Sequence, residues 1–223
     1  MKILAVISQK GGVGKTTLAT ALAVAAEQDG QQVALFDLDD QATASFWGGV
    51  RQAETPFVRD VKVALLSRDL ERARSAGTDL VILDCAPIHA NAQAVTEEAD
   101  FVLIPTKPDI FDIRSMRSTV KVMQSFGKRF GVVLTFCPPS GSEVADARTG
   151  ITSIGAELVP VELGQRKAFA RAQQEGLAAQ EYEPDGKAAA EVRSLYSYIH
   201  TALHGVKQHG SSKEKPARKR VQG

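Results

Sequence analysis

Ser8-Gln9-Lys10-Gly11-Gly12-Val13-Gly14-Lys15-Thr16-Thr17 is the stretch that decides the fold. An apolar run, Ile3 to Ile7, precedes it, and an alanine-rich helical pattern, Leu18 to Ala26, follows. A buried strand, a glycine-rich turn and a helix opening on Lys-Thr form a phosphate cradle. The turn aims successive backbone N–H groups at an anion, and the helix N-terminus adds the positive end of its dipole. Glycine is required at Gly11, Gly12 and Gly14, where a side chain would meet the phosphates or forbid the backbone angles. Lys15 is placed to bridge the β and γ phosphates and the Thr16 hydroxyl to ligate Mg²⁺. Val13 and Thr17 complete the stretch expected to contact the nucleotide.

The rest of the chain suits such a domain. Its 223 residues are 43% hydrophobic and 24% charged, ordinary for one α/β unit with a sizeable core. No apolar run approaches the ~18–20 residues of a membrane span. Met1-Lys2 leads straight into a strand without a cleavable leader pattern, so the expected location is the cytoplasm. Cys85 and Cys137 end apolar strands and read as small buried hydrophobes rather than as a zinc site or disulfide. The net charge of +1 divides unevenly. Residues 206–223 hold six basic residues and one acid, so this stretch carries +5 and residues 1–205 carry −4. With no apolar periodicity, 206–223 reads as a disordered basic tail following a domain over 1–205.

Apolar runs recur at Val33–Leu38, Leu80–Leu83, Phe101–Ile104, Val132–Phe136 and Leu158–Leu163. Helical patterns fall near 16–29, 62–76, 90–98, 112–127, 143–153, 166–175 and 187–204. Apolar strands alternating with helices predict a doubly wound α/β domain, its mostly parallel sheet covered on both faces. Pro87, Pro105, Pro108, Pro138 and Pro139 read as punctuation at strand ends. Ligand chemistry is expected at the carboxyl ends of the strands.

Acids cluster at those ends. The second strand finishes Asp37-Leu38-Asp39-Asp40-Gln41 and the third Ile82-Leu83-Asp84. Period-two alternation puts Asp37 and Asp39 on one side, opposite Leu38. A lone acid at a strand end is usually a cap for the next helix, and Asp40 suits that role as well as any other. Several acids beside a phosphate loop fit the support of Mg²⁺ and the orientation of an attacking water.

The loop departs from the standard P-loop pattern: Gln9 stands where a glycine is usual, and a second lysine, Lys10, opens the loop. Lys-Gly-Gly-Val-Gly-Lys-Thr-Thr resembles the deviant P-loop of the ParA/MinD family of ATPases, whose front lysine is its hallmark. Asp37 to Gln41 resembles that family's Asp-x-Asp-Pro-Gln switch, and Asp84 to Pro87 its Walker B end. Ile104 to Pro108 with Asp112 to Met116, and residues 166–190, resemble later segments of short plasmid-type ParA proteins. The resemblance implies that Asp39 orients the hydrolytic water, Asp37 supports it, and Asp84 with Thr16 holds Mg²⁺. It also implies that Lys10 reaches across a two-fold axis to ATP in a partner subunit, making an ATP-state homodimer. Two departures stand out. Asp40 replaces the family's proline, and Cys85-Ala86 replaces Thr-Pro.

The resemblance further implies non-specific DNA binding, a nucleoid-associated location, a ParB-like adaptor that stimulates hydrolysis, and the segregation of plasmid, chromosomal or other cargo. Lys121, Lys128, Arg129, Lys187, Arg193 and the tail are candidate phosphate contacts. Phe169 and Ala170 read as packing residues. A membrane-binding C-terminal helix is not expected, because Val206 and Val221 are the only bulky apolar residues after Leu203. A metabolic ATP-dependent ligase of related fold would lack the switch and front lysine, and an iron–sulfur carrier would need a paired-cysteine motif.

Overall fold

A computed structural model describes residues 1–87 and 92–205. The segment 206–223, read above as a basic tail, lies outside the described residues. One sheet holds seven strands: β1 (Lys2–Val6), β2 (Val33–Leu38), β3 (Phe57–Asp60), β4 (Leu80–Cys85), β5 (Phe101–Thr106), β6 (Phe130–Cys137) and β7 (Leu158–Gly164). Their order is β3-β2-β4-β1-β5-β6-β7, and every pairing is parallel. The helices are α1 (Lys15–Gln28), α2 (Thr43–Val50), α3 (Leu66–Ser75), α4 (Ala92–Glu98), α5 (Ile110–Ser125), α6 (Glu143–Ser153), α7 (Lys167–Gln174), α8 (Ala179–Tyr182) and α9 (Lys187–His204).

Strand alternation feeds two cores. Ile3, Ala5 and Ile7 of the first strand segment turn to one face with Val81, Leu83, Met116 and Ile151. Leu4 and Val6 turn to the other with Leu18, Leu22, Trp47 and Leu195. Parallel strands joined by covering helices bury both faces of a sheet, so the doubly wound α/β expectation holds. Asp37 and Asp84 follow the same alternation and continue the rows of Leu35 and Ile82, on the face covered by α1. They are register partners on neighbouring strands, and Asp84 is also level with Val6 of β1.

Three elements escaped the sequence pattern: β3, α2 and the short α8. Two expected helices also shift. The one expected from 112 begins at Ile110, because the Asp109 carboxylate accepts from the N–H groups of Phe111 (2.9 Å) and Asp112 (3.3 Å) and caps it earlier. The one expected over 62–76 opens as a 3₁₀ turn, Val63–Leu65, before α3. Pro105 lies inside β5 rather than at its end. Pairing of β5 with β1 stops at Leu103, so the missing N–H of Pro105 falls beyond the ladder on that side.

Candidate functional site

The site grows from the carboxyl ends of β1, β2 and β4. After β1 the chain turns through Gly12 (φ 71°) and Gly14 (φ 89°), left-handed conformations that favour glycine. Gly14 is the residue from which α1 springs. A side chain on Gly14 would also press on the Phe136 ring, at 3.3 Å from its Cβ. Side chains behind the loop hold its shape. The Thr135 hydroxyl lies 3.0 Å from the Val13 carbonyl and 3.2 Å from that of Thr106, and the Ser8 hydroxyl donates to the Lys10 carbonyl at 2.7 Å.

Lys15 is buried within the cradle, its ammonium 3.4 Å from the Lys10 carbonyl. Burial lowers its pKa, opposed by the carboxylates of Asp84 and Asp39. Asp84 is 1% exposed, and neither of its oxygens accepts a hydrogen bond from a described residue. Burial pushes its pKa up to about 7, with the Asp37 charge adding to the shift and the Thr16 hydroxyl and Lys15 opposing it. A buried, unsatisfied carboxylate next to a hydroxyl fits a hard, oxygen-seeking cation such as Mg²⁺. Thr16 and Asp84 are the residues that would hold it.

Asp37 is fully buried and engaged by backbone. Its Oδ1 accepts from the N–H of Asp39 (3.1 Å) and its Oδ2 from that of Ser45 (2.8 Å), in the first turn of α2. Asp39 in turn accepts from the Gln41 N–H at 3.0 Å. Asp37 therefore sets the path of the 39–45 segment that carries Asp39. The capping role considered for Asp40 falls to Asp37, since Ala42 occupies the N-cap position. Asp40 is instead an exposed acid paired with Lys62 at 3.0 Å.

Lys10 stands at the front of the loop, 46% exposed, its ammonium against the Asp112 carboxylate at the head of α5. Beside it the Ser115 hydroxyl donates to Gln9 Oε1 at 3.3 Å. Sequence reading gave no role to Asp112 or Thr135. A second omission is a crevice of about 130 Å³ beside Gly14 and Thr17, walled by Phe136, Arg166 and Phe169. Its only local signal is Phe136 at φ 53°, a conformation unusual for an aromatic residue. A larger cavity, about 670 Å³, lies among Glu27, Phe57, Arg59 and Arg72 and touches none of the loop residues.

Residues 4–179 match the family described as the CobQ/CobB/MinD/ParA nucleotide binding domain. The chain belongs to that family. Among relatives of this domain, maintenance of carboxysome distribution protein A of Gloeobacter kilaueensis is 33% identical over 203 residues, spanning 89% of this chain and 92% of the relative. Protein ParA of Rhizobium radiobacter is 23% identical over 180 residues, spanning 76% and 81%. The septum site-determining protein MinD of Pyrococcus horikoshii, solved with Mg-ADP, superposes with a TM-score of 0.73 at 19% identity, covering 89% of this chain and 95% of that one. The chain is thus a P-loop protein of the ParA/MinD positioning-ATPase type.

The remaining expectations divide. Cys85 and Cys137 are both buried, and burial raises both thiol pKa values, that of Cys137 to about 12, as suits inert packing residues. Of the basic candidates, the Lys128 ammonium is spent on the carbonyls of Glu97 and Ala99 that end α4, at 3.2 and 2.8 Å. Arg193 donates to the Pro184 carbonyl at 3.0 Å, and Arg129 lies over the Phe101 ring. Phe169 packs against buried residues as expected but also lines the crevice, as does Ala170. Among the described residues, no helix is long and apolar enough to cross a membrane.

Proposed function

We propose that this chain is an ATPase that hydrolyses ATP to ADP and phosphate as a nucleotide-sandwich homodimer. In the ATP state it holds DNA without sequence preference, and an adaptor of ParB type triggers hydrolysis to position a cargo. The observation that carries this reading is the division of labour between the two loop lysines. Lys15 is buried in its own cradle, whereas the half-exposed Lys10 lies against Asp112 at the head of α5, a position that suits service to phosphates across a two-fold axis once that pair opens.

The backbone N–H groups of Gly11 to Thr17 and the Lys15 ammonium bind the phosphates, and the crevice at Phe136 and Arg166 receives the base. Thr16 and, through water, Asp84 would hold Mg²⁺, which would supply positive charge against the phosphates. Asp39 orients the attacking water by accepting a hydrogen bond from it, and Asp37 fixes the backbone from which Asp39 projects. The partner's copy of Lys10 meets charge developing on the transferred phosphoryl group, as an arginine finger does.

Asp39→Ala tests the assignment, because it removes the water-orienting carboxylate and leaves Gly11 to Thr17 intact. The variant should accumulate as an ATP-bound dimer by light scattering and be retained on DNA at low salt, with ATP turnover down by about 10²–10⁴. Turnover at the parent rate would remove Asp39 from the mechanism. Absence of any ATP-dependent dimer in both proteins would sink the proposed function.

A further inference from the structure

Asp112 is 6% exposed, and its Oδ1 is buried without a directed hydrogen bond from any described residue. The counter-charge that meets it is the Lys10 ammonium. A buried carboxylate is stabilised by its ion partner, and removing that partner leaves an uncompensated charge in a poorly solvated place. Lys10, though half exposed, is therefore already engaged by a buried carboxylate. Around it the loop is tied to the same helix a second time, through Gln9 and Ser115, and its carbonyl is held by Ser8.

We infer that Asp112 is a positioning residue for Lys10: it holds the front lysine in cis in the nucleotide-free chain and opposes its transfer to phosphates in trans. The inference rests on the trans role proposed above and adds a threshold to it. Lys10 leaves one carboxylate only for a stronger anion, and each subunit must give up one such pair when the sandwich forms. The opposition is thus counted twice per dimer. An exposed pair would impose no threshold, since surface ion pairs contribute little, but the burial of the Asp112 side of this one makes separation costly.

Asp112→Asn keeps the shape of the side chain and removes its charge. In the full chain with a non-hydrolysable ATP analogue and Mg²⁺, the dimer dissociation constant, measured by analytical ultracentrifugation, should fall by about tenfold or more. Affinity of the monomer for ADP, measured by calorimetry, should stay as in the parent chain, which separates release of Lys10 from damage to the cradle. The gain should vanish in a Lys10→Gln background, because the charge of Asp112 then has nothing to hold. Should Asp112→Asn not fold, Asp112→Ser removes the same charge and is scored on the same terms. An unchanged or larger dissociation constant, or an equal gain without Lys10, overturns the inference while leaving the dimer itself in place. Failure of the parent chain to dimerise with the analogue overturns both this inference and the function on which it rests.

Discussion

Replacing Asp84 by asparagine should make the nucleotide-free chain more stable above neutral pH, although it removes a site residue. The carboxyl group ordinarily titrates near 3.8, and burial in the folded chain pushes it up to about 7. Between these values the folded chain keeps a proton that the unfolded chain has released. Stability therefore falls as pH rises from about 4 to about 7 and levels off above. A rise of this size corresponds to about 4 kcal/mol, at ~1.36 kcal/mol for each pH unit between the two values. Asparagine carries no charge at any pH, but its amide must sit where described neighbours offer no partner, at about 1–3 kcal/mol. The net gain at pH 8 is then about 1–3 kcal/mol. At about 2–4 °C per kcal/mol for a chain of this size, the melting temperature should rise by about 2–12 °C.

Thermal melts of both proteins from pH 5 to pH 8.5, without metal or nucleotide, measure this. The difference should favour the parent or vanish at pH 5 and favour Asp84→Asn at pH 8. Adding ATP analogue and Mg²⁺ at pH 8 should shrink the variant's advantage, because a ligand bound more tightly by the folded parent stabilises it more, by up to about 2.7 kcal/mol at a hundred times its dissociation constant. A melting difference independent of pH would refute the reasoning, since it would mean that Asp84 is ionised to the same extent in both states.

Gly176→Ala should destabilise the chain by about 2–4 kcal/mol in urea denaturation. Gly176 has φ 67°, and a Cβ there would lie 2.5 Å from the Arg51 nitrogen, so an unchanged midpoint would disprove the packing of 176–181 on α2. Truncation after Gly205 removes six basic residues and should leave ATP-dependent dimerisation intact. DNA affinity should drop, and the slope of log affinity against log salt should become shallower by about 0.9 for each phosphate no longer neutralised. An unchanged slope would clear this segment and move the search to basic side chains such as Lys121 and Lys187.

What could be read from the sequence follows from where each element finds its stability. The central strands are apolar on both faces, so their residues announce them, and Gly11 to Thr17 announces its turn by glycine spacing. Phe57-Val58-Arg59-Asp60 has no such run. It is an edge strand, ordered by pairing with Ala34 to Asp37 rather than by burial. Thr43 to Val50 holds two glycines and has no side-chain cap at its N-cap position, so propensity argues against a helix there. Contacts from distant segments override it. Asp37 caps its first turn, and the buried Trp47 donates its indole N–H to the Leu177 carbonyl at 3.1 Å. Gly48 is needed because a Cβ would meet Val58 of β3 at 2.9 Å, so the residue that weakens the helix allows it to dock on the edge strand.

The same limit applies to charge. Lys10 and Asp84 are both conspicuous in the sequence, but whether either is compensated depends on residues far along the chain. The fold gives them opposite states: the Asp84 charge is buried and only partly offset by the Thr16 hydroxyl and Lys15, and Lys10 already has Asp112. A cation at Asp84 relieves an existing cost, so its binding needs no rearrangement of charge. Moving Lys10 creates a cost, and the attraction must exceed that of one buried carboxylate. Within the proposed dimer, the γ-phosphate is the charge that distinguishes ATP from ADP. Loading of the cradle is therefore expected with either nucleotide, and capture of Lys10 from Asp112 with ATP alone.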